Sequence, residues 1–456
     1  MRNSKISQSG YVEGINNKVY IFTYDGELLR LVPKDKSSIK HYDFLENKNQ
    51  FFEVMKATNI KGENIVFLKC ELYVSLSGYI AKPAGYICFY DGTSEFETIT
   101  FRGKTVNYFY RPNHIIDDEQ TKYDYENGGG NIRLKSFDET SQKYEVIIDG
   151  KRADMLLGVT QPEEPKWRKE EYTLGRPQSI LRLEFEELIK VENFTNVYMW
   201  IYKFLVFLNF RSNIDCGDIY LGKWSENREI RKIADVYLTN TKEYESVDVD
   251  NTIGYFFIQD KMAELLNILN EKNLNLLFIP NSRKESMKID PQKYIMCCTS
   301  FESVFNFCFP NAKTEDQEKA KEVKQEFLEY IESRREAYKG MDGKKRKEFK
   351  KYADIIQLLD FGLAEKVQYC IDKYKEYLCE YMNRIYTRFE IADEEKNDMV
   401  TAFAEKRNML THSNLVEFEK IHIVAYLIVR AIIYVMILDS AGVKRNLIIQ
   451  ALDRIL

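Results

Sequence analysis

The sequence predicts a multidomain α+β protein with a β-rich N-terminal domain, a mixed middle region and an all-α C-terminal helical bundle. Three observations carry this expectation. Short runs of β-branched and aromatic residues, punctuated by Asp-Gly, fill the chain from residue 10 to 160. Pro162 and Pro165 then interrupt both ladder and helix hydrogen bonding. After Pro291 apolar residues recur at helical spacing almost without break. The expected units are residues 1–160 as the β-rich domain, 161–289 as the mixed α/β region and 290–456 as the bundle.

Each element follows from local pattern. Val19–Tyr24 and Leu28–Val32 flank Asp25-Gly26, and Asp-Gly supplies the positive φ angles of a tight primed turn, so the three together read as a hairpin. Asp91-Gly92 repeats the signal between Tyr86–Tyr90 and Phe96–Phe101. Phe51–Thr58, Ile65–Val74 and Tyr144–Ile148 are further strands, and an antiparallel sheet or sandwich accommodates them all. Gly128-Gly129-Gly130 lacks the strand-to-helix setting and the Lys-Ser/Thr tail of a phosphate-binding loop, so it is expected to be a flexible loop. Phe194–Phe210 places Val197, Ile201, Phe204, Leu205 and Leu208 on one helical face, and a second helix falls near Lys261–Asn270.

In the bundle, helices are expected over Tyr294–Phe307, Asp316–Tyr338, Ala353–Leu363 and Val367–Phe389. Asp393 suits the N-cap of the next, which turns Met399, Val400, Phe403 and Ala404 inward and runs into Arg407. The last two cover Glu417–Asp439 and Lys444–Ile455, divided at Gly442. The connections are short apart from the Gly340-Met341-Asp342-Gly343 turn and its basic sequel.

Composition narrows the class. Hydrophobic residues are 44% of the 456 and aromatics 14%, which excludes a disordered or collagen-like chain. A net charge of −5 gives no general attraction for polyanions, so any nucleic-acid site must be a local patch. Residues 291–456 balance 27 Lys or Arg against 27 Asp or Glu, which makes them the more RNA-compatible part. Eight cysteines without a C-x-x-C pair argue against zinc. The first residues carry no apolar stretch like that of a secretory signal, so the expectation is a cytoplasmic protein with reduced, buried thiols. Ile423–Leu438 is apolar except for Arg430 but shorter than the roughly 20 residues of a membrane span. It is expected to be a buried helix or a subunit contact, with no membrane partner.

Only four histidines are present. His41 and His114 have no obvious acidic or nucleophilic companion, and His422 lies on an apolar helix where a satisfied core histidine is expected. His412 stands apart, because Arg407 and Asn408 precede it at the end of an amphipathic helix, just before Ser413-Asn414. At about 100° per residue, Asn408 and His412 align one turn apart, while Arg407 and His412 are roughly 140° apart. The helix must therefore end or distort at the motif, or a second subunit must complete the site.

These residue types suit metal-free RNA cleavage, in which the 2′-hydroxyl attacks the adjacent phosphate. Histidine takes or gives a proton near neutral pH, arginine pairs with phosphate oxygens, and asparagine orients the ribose or the imidazole. Two motifs facing one another would supply both acid and base. The spacing alone is a weak signal, since an Arg and a His five residues apart are common, and by itself it better fits a surface helix end that uses His and Asn as caps.

The Arg407-Asn408-x-x-x-His412 run resembles the signature of the HEPN superfamily, and the chain is more closely similar to ApeA-type antiphage HEPN proteins. The position near the chain's end, the apolar helix that follows, the early helix bearing Thr299–Phe305 and the β-rich region ahead of a mixed one all match that layout. The resemblance implies a metal-independent, cofactor-free endoribonuclease, dimeric or of higher order, that acts on RNA in defence against phage. Its β-rich and mixed regions would sense a phage-derived trigger or restrain the nuclease. Arg407, Asn408 and His412 would be catalytic, and Glu302 would be an acidic residue supporting them. Glu302 is equally well read as a helix-surface or salt-bridge residue paired with Arg430. Related toxins usually carry a Tyr two residues after the His, and Asn414 stands there in this chain. Lys344, Lys345, Arg346 and Lys347 could hold an RNA backbone, against the blander reading of a solvated turn. The alternative to an enzyme is a non-catalytic HEPN-like RNA-binding or scaffold protein. A nucleotide-dependent enzyme would need a phosphate loop or metal cluster that the sequence does not offer.

Overall fold

The computed structural model describes all residues except 1–6, 16–17, 36–48, 76, 118, 121, 125–128, 132, 161–165, 169–170, 174–176, 240–250, 273, 287, 311–314, 358–361 and 413–416. His41, Gly128, residues 161–165 of the expected connector and Ser413-Asn414 therefore lie outside the described residues. The architecture is α+β, β-rich in its N-terminal part and helical in its C-terminal part. The chain divides into two compact units, Met1–Asn270 with Ile279–Arg283 and Ile455, and Glu271–Phe278 with Lys284–Arg454 and Leu456.

The first unit is built on one antiparallel sheet of thirteen strands. In chain order these are β1 Gln8–Ile15, β2 Lys18–Tyr24, β3 Leu29–Pro33, β4 Gln50–Asn59, β5 Asn64–Ser75, β6 Gly78–Ala81, β7 Gly85–Phe89 and β8 Glu95–Arg102. They continue as β9 Gln142–Ile148, β10 Lys151–Thr160, β11 Gln178–Lys190, β12 Asp218–Trp224 and β13 Ile230–Leu238. The spatial order is β9-β10-β11-β8-β12-β13-β7-β5-β4-β1-β2-β3-β6. A further pairing of β6 with β5 closes six strands into a barrel. Closure removes the free edges that a strand-rich chain would otherwise expose. Alternation fills the barrel: Tyr20, Phe22 and Tyr24 of β2 are buried, and Phe67 of β5 meets Phe22 and Tyr24 edge-on at centroid distances of 5.3 and 5.5 Å.

Helix α1, Phe194–Asn209, covers the open part of the sheet. Its Phe194 meets Phe96 of β8, and its Tyr198 stacks on Phe101. Helix α2, Met262–Leu269, packs against α1 and β9.

Four expectations about this unit need correction. Its division at residue 160 is not structural, because β11, from the expected middle region, lies between β10 and β8 and pairs with both. Nor does Asp91-Gly92 make a hairpin, since β12 and β13 stand between β7 and β8. Asp25-Gly26 does join paired strands, but through a longer loop in which the Asp25 carboxylate accepts from the amides of Glu27 and Leu28. The two-residue primed turn is Asp149-Gly150 between β9 and β10, with φ of 52° and 79°. Gly129 and Gly130, expected in a loop, belong to a short ribbon with Lys122–Asp124.

The second unit is helical. Its helices are α3 Pro291–Cys308, α4 Glu315–Ala337, α5 Gly343–Gln357, α6 Leu363–Lys373, α7 Lys375–Phe389, α8 Asp393–Thr411, α9 Lys420–Ser440 and α10 Arg445–Ile455. Helix α9 is the centre, buried from Val424 to Leu438 and packed on α3, α7 and α8. At 21 residues with a mean hydropathy of 2.4 it is long and apolar enough to cross a membrane, contrary to its expected shortness, but 83% of its apolar window is buried inside the fold. Arg430 sits within it, donating to the Ser286 carbonyl at 2.9 Å and lying 4.9 Å from the Tyr426 ring centre. The expected long helix from Val367 is broken at Tyr374, whose hydroxyl joins that of Tyr377 in donating to Asp439 near the end of α9.

The basic run Lys344–Lys347 lies in α5, not in a solvated turn, and that helix begins ten residues before the expected Ala353. Asp393 is the first residue of α8 and not its cap; Ala392 caps it, and the Glu395 carboxylate accepts from the Ala392 amide at 2.9 Å. Gly442, with φ of 79°, makes the break before α10.

Candidate functional site

Helix α8 positions the motif. Its buried seam runs through Met399, Val400, Phe403 and Lys406, leaving Arg407 half-buried beside it and Asn408 and His412 exposed at the helix end. The helix closes at His412, which has φ of −94° and ψ of 20° and whose amide still reaches the Asn408 carbonyl at 3.2 Å. Asn408 and His412 are thus one turn apart, and the helix ends at the motif, as the spacing argument requires.

Arg407 is the hub of the described contacts. Its Nη1 donates to Asn408 Oδ1 at 3.2 Å, and its Nη2 lies 3.8 Å from Oε2 of Glu302 on the neighbouring helix α3. The structure therefore pairs Glu302 with Arg407 and not with Arg430. Asp290, accepting from the Lys293 amide at 2.9 Å, caps α3 and fixes where that helix starts. Cys298 lies close enough to Glu302 and Arg407 to feel both charges, yet burial dominates and pushes its thiol pKa up, which favours the neutral thiol. His412 is exposed, and among the described residues its imidazole has no hydrogen-bond or ion-pair partner.

Sequence reasoning missed Lys406. Its side chain is fully covered, its Nζ donates to the Glu417 carbonyl at 2.6 Å, and it lies 4.7 Å from the centre of the Phe418 ring. Phe418 in turn packs on Tyr294 of α3, which also meets Phe403. Lys406 thereby anchors the chain where it re-emerges after His412. The signal was present, because the inward spacing 399, 400, 403 extends to 406.

His422 is half-buried at the start of α9, where its Nδ1 accepts from the Glu419 amide at 3.1 Å. Burial first, and then the Lys406 ammonium, lower its pKa against the opposing pull of Glu419 and Glu405. His114 stacks on Tyr110 with centroids 4.4 Å apart, and partial desolvation first, then Lys135 and Arg111, lower its pKa as well. Of the described histidines, His412 is the one that shares a helix end with an arginine and an asparagine.

Lys344, Lys345 and Lys347 are exposed on α5, and the half-buried Arg346 pairs with Glu336 at 3.5 Å. Among the described residues no hydrogen bond or ion pair links this run to Arg407, Asn408 or His412. Nor do three His, Cys, Asp or Glu side chains converge as a metal site among the described residues. Seven of the eight cysteines are buried or half-buried, but Cys379 is exposed, contrary to expectation.

No known family model, curated protein or solved structure matches the chain. Any functional reading therefore rests on the residues themselves. A guanidinium, an amide and an imidazole at one helix end can bind a phosphodiester, orient it and exchange a proton with it.

Proposed function

We propose that the protein is a metal-independent endoribonuclease of the HEPN type, acting in antiphage defence in the cytoplasm. The observation that supports this best is the ending of α8: the exposed His412 and Asn408 lie one turn apart beside Arg407, and Glu302 holds one arm of the guanidinium. Arg407 would bind the scissile phosphate, Asn408 would orient the ribose or the imidazole, and His412 would move the proton. The attacking 2′-oxygen forms a bond to phosphorus as the 5′-oxygen leaves, giving a 2′,3′-cyclic phosphate and a 5′-hydroxyl. That reaction needs a proton acceptor and a proton donor, so a second copy's His412 would complete the site in a homodimer. The β-rich unit would sense a phage-derived trigger or restrain cleavage.

The chemistry of the ends tests the reading. Purified protein incubated with total RNA in EDTA is expected to release fragments with cyclic phosphate and 5′-hydroxyl termini. Intact RNA, together with retention of RNA in a mobility-shift assay, would instead identify a non-catalytic RNA-binding or scaffold protein.

A further inference from the structure

Strand β5 serves two parts of the first unit's sheet. It pairs with β7 from Asn64 to Leu68 and with the barrel strand β6 from Tyr73 to Ser75. Ile65 and Phe67 face the barrel core, and after them Cys70 and Leu72 do, so the inward alternation slips by one residue between the two pairs. Lys69 makes the slip. Its φ of 48° is left-handed, an uncommon backbone for a residue with a side chain. Leu68 and Lys69 are thereby both turned away from the barrel core.

On that side a crevice of about 220 Å³ opens between β5 and α1. Phe194, Tyr198 and Tyr202, spaced four residues apart on α1, form an aromatic wall whose rings follow one another nearly in parallel, with centroids 6.1 and 5.6 Å apart. Leu68, Ile214 and Leu238 supply an aliphatic side. An apolar cavity of about 150 Å³ takes one benzene ring. This one therefore has room for a ring with a short substituent.

The polar groups of the lining fall into two sets. Tyr202 donates to the Ser212 carbonyl, the Ser212 hydroxyl donates to Asn281 Oδ1 at 2.9 Å, and the Tyr198 hydroxyl lies 3.8 Å from Cys216 Sγ. Burial pushes both phenols up, so neither adds a negative charge. Lys69 and Thr195, in contrast, have no hydrogen-bond or ion-pair partner among the described residues. Glu53 stands opposite Lys69 in the β4–β5 register and still forms no ion pair with it. Two other carboxylates close to α1 are committed: Glu192 pairs with Lys56 at 2.8 Å, and Asp215 accepts from the Gly217 amide at 2.8 Å. Lys69, exposed at the rim, is the one charged residue among the described residues lining the crevice.

We propose that this crevice binds a small aromatic monocarboxylate, with its ring against Tyr198 and Tyr202 and its carboxylate on the Lys69 ammonium. The lining selects that class. Aromatic and aliphatic walls favour a flat apolar body, and a single uncommitted cation at the rim favours a single negative charge. The Thr195 hydroxyl is available as a further donor. A dianion would leave one charge unmatched in an otherwise engaged polar lining. The inference does not depend on the ribonuclease reading.

Calorimetric titration of the full chain tests it, with 3-phenylpropionate, its uncharged amide and hexanoate as probes. The wild type is expected to bind 3-phenylpropionate with a Kd of about 1 mM or tighter, and to prefer it over both the amide and hexanoate by at least about threefold, the scale of a partly exposed ion pair. Lys69→Met, at an exposed position, should abolish the preference for the acid over the amide while both still bind. Ala84→Trp, at an exposed position of the rim, should weaken every probe at least about tenfold by filling the mouth, with the circular dichroism unchanged. Absence of saturable binding by the wild type, equal affinity for acid and amide, hexanoate bound as tightly as the aromatic acid, an acid preference that survives Lys69→Met, or unchanged binding in Ala84→Trp would each overturn the inference.

Discussion

The Arg407 guanidinium lies 3.8 Å from the Glu302 carboxylate, and this ion pair ties the motif helix α8 to α3. Both side chains are about one-third exposed, at 38% and 33%, so solvent screens the pair and it contributes at most about 1 kcal/mol to stability. Its consequence is orientation of Arg407. Glu302→Gln is therefore expected to leave the thermal midpoint almost unchanged while lowering the cleavage rate about tenfold, the equivalent of about 1.4 kcal/mol in the barrier. Melting curves and single-turnover assays on the same preparation check both halves.

Lys406 makes the opposite prediction, in which structure and activity fall together. Its covered ammonium donates to the Glu417 carbonyl, so Lys406→Met keeps the packing volume but removes a charged hydrogen bond worth about 1.5–3 kcal/mol. Urea unfolding is expected to show a loss of that order. Lys406→Arg retains a donor and should recover part of both stability and cleavage, since the chain after His412 regains its anchor.

The two lowered histidines set an acid limit. In the folded protein His114 and His422 both resist protonation, so the unfolded chain takes up the proton first as pH drops. Their contribution is flat above the ordinary value of 6.5, and stability is lost as pH falls through it. His422→Gln keeps an acceptor for the Glu419 amide without titrating. Urea midpoints at about pH 7.5 and 5.5 are expected to fall less in this variant than in the wild type.

Local pattern made much of this protein legible. The β2, β4, β5 and β8 runs, the α1 face through Val197 and Leu208, and the ending of α8 at His412 all follow from periodicity and turn chemistry that neighbouring residues carry. What escaped was long-range. Closure of the barrel depends on Gly78–Ala81 bridging β3 and β5, and insertion of β12 and β13 between β7 and β8 cancels the Asp91-Gly92 hairpin. Neither arrangement leaves a trace in a short window. In the candidate site, Arg407, Asn408 and His412 are visible as residue types, while the partner of Glu302 depends on how α3 lies against α8, and the burial of Lys406 is masked by its charge on an otherwise apolar seam.

Cleavage by the motif variants tests the central claim most directly. Single-turnover rates on one labelled RNA in EDTA are to be compared for the wild type, Arg407→Ala and His412→Ala, with sedimentation and melting curves confirming the same fold and assembly. Each substitution is expected to slow cleavage by at least about a hundredfold, as removal of one charge-stabilising or proton-transferring group does. A His412→Ala protein that cuts as fast as the wild type would contradict the account.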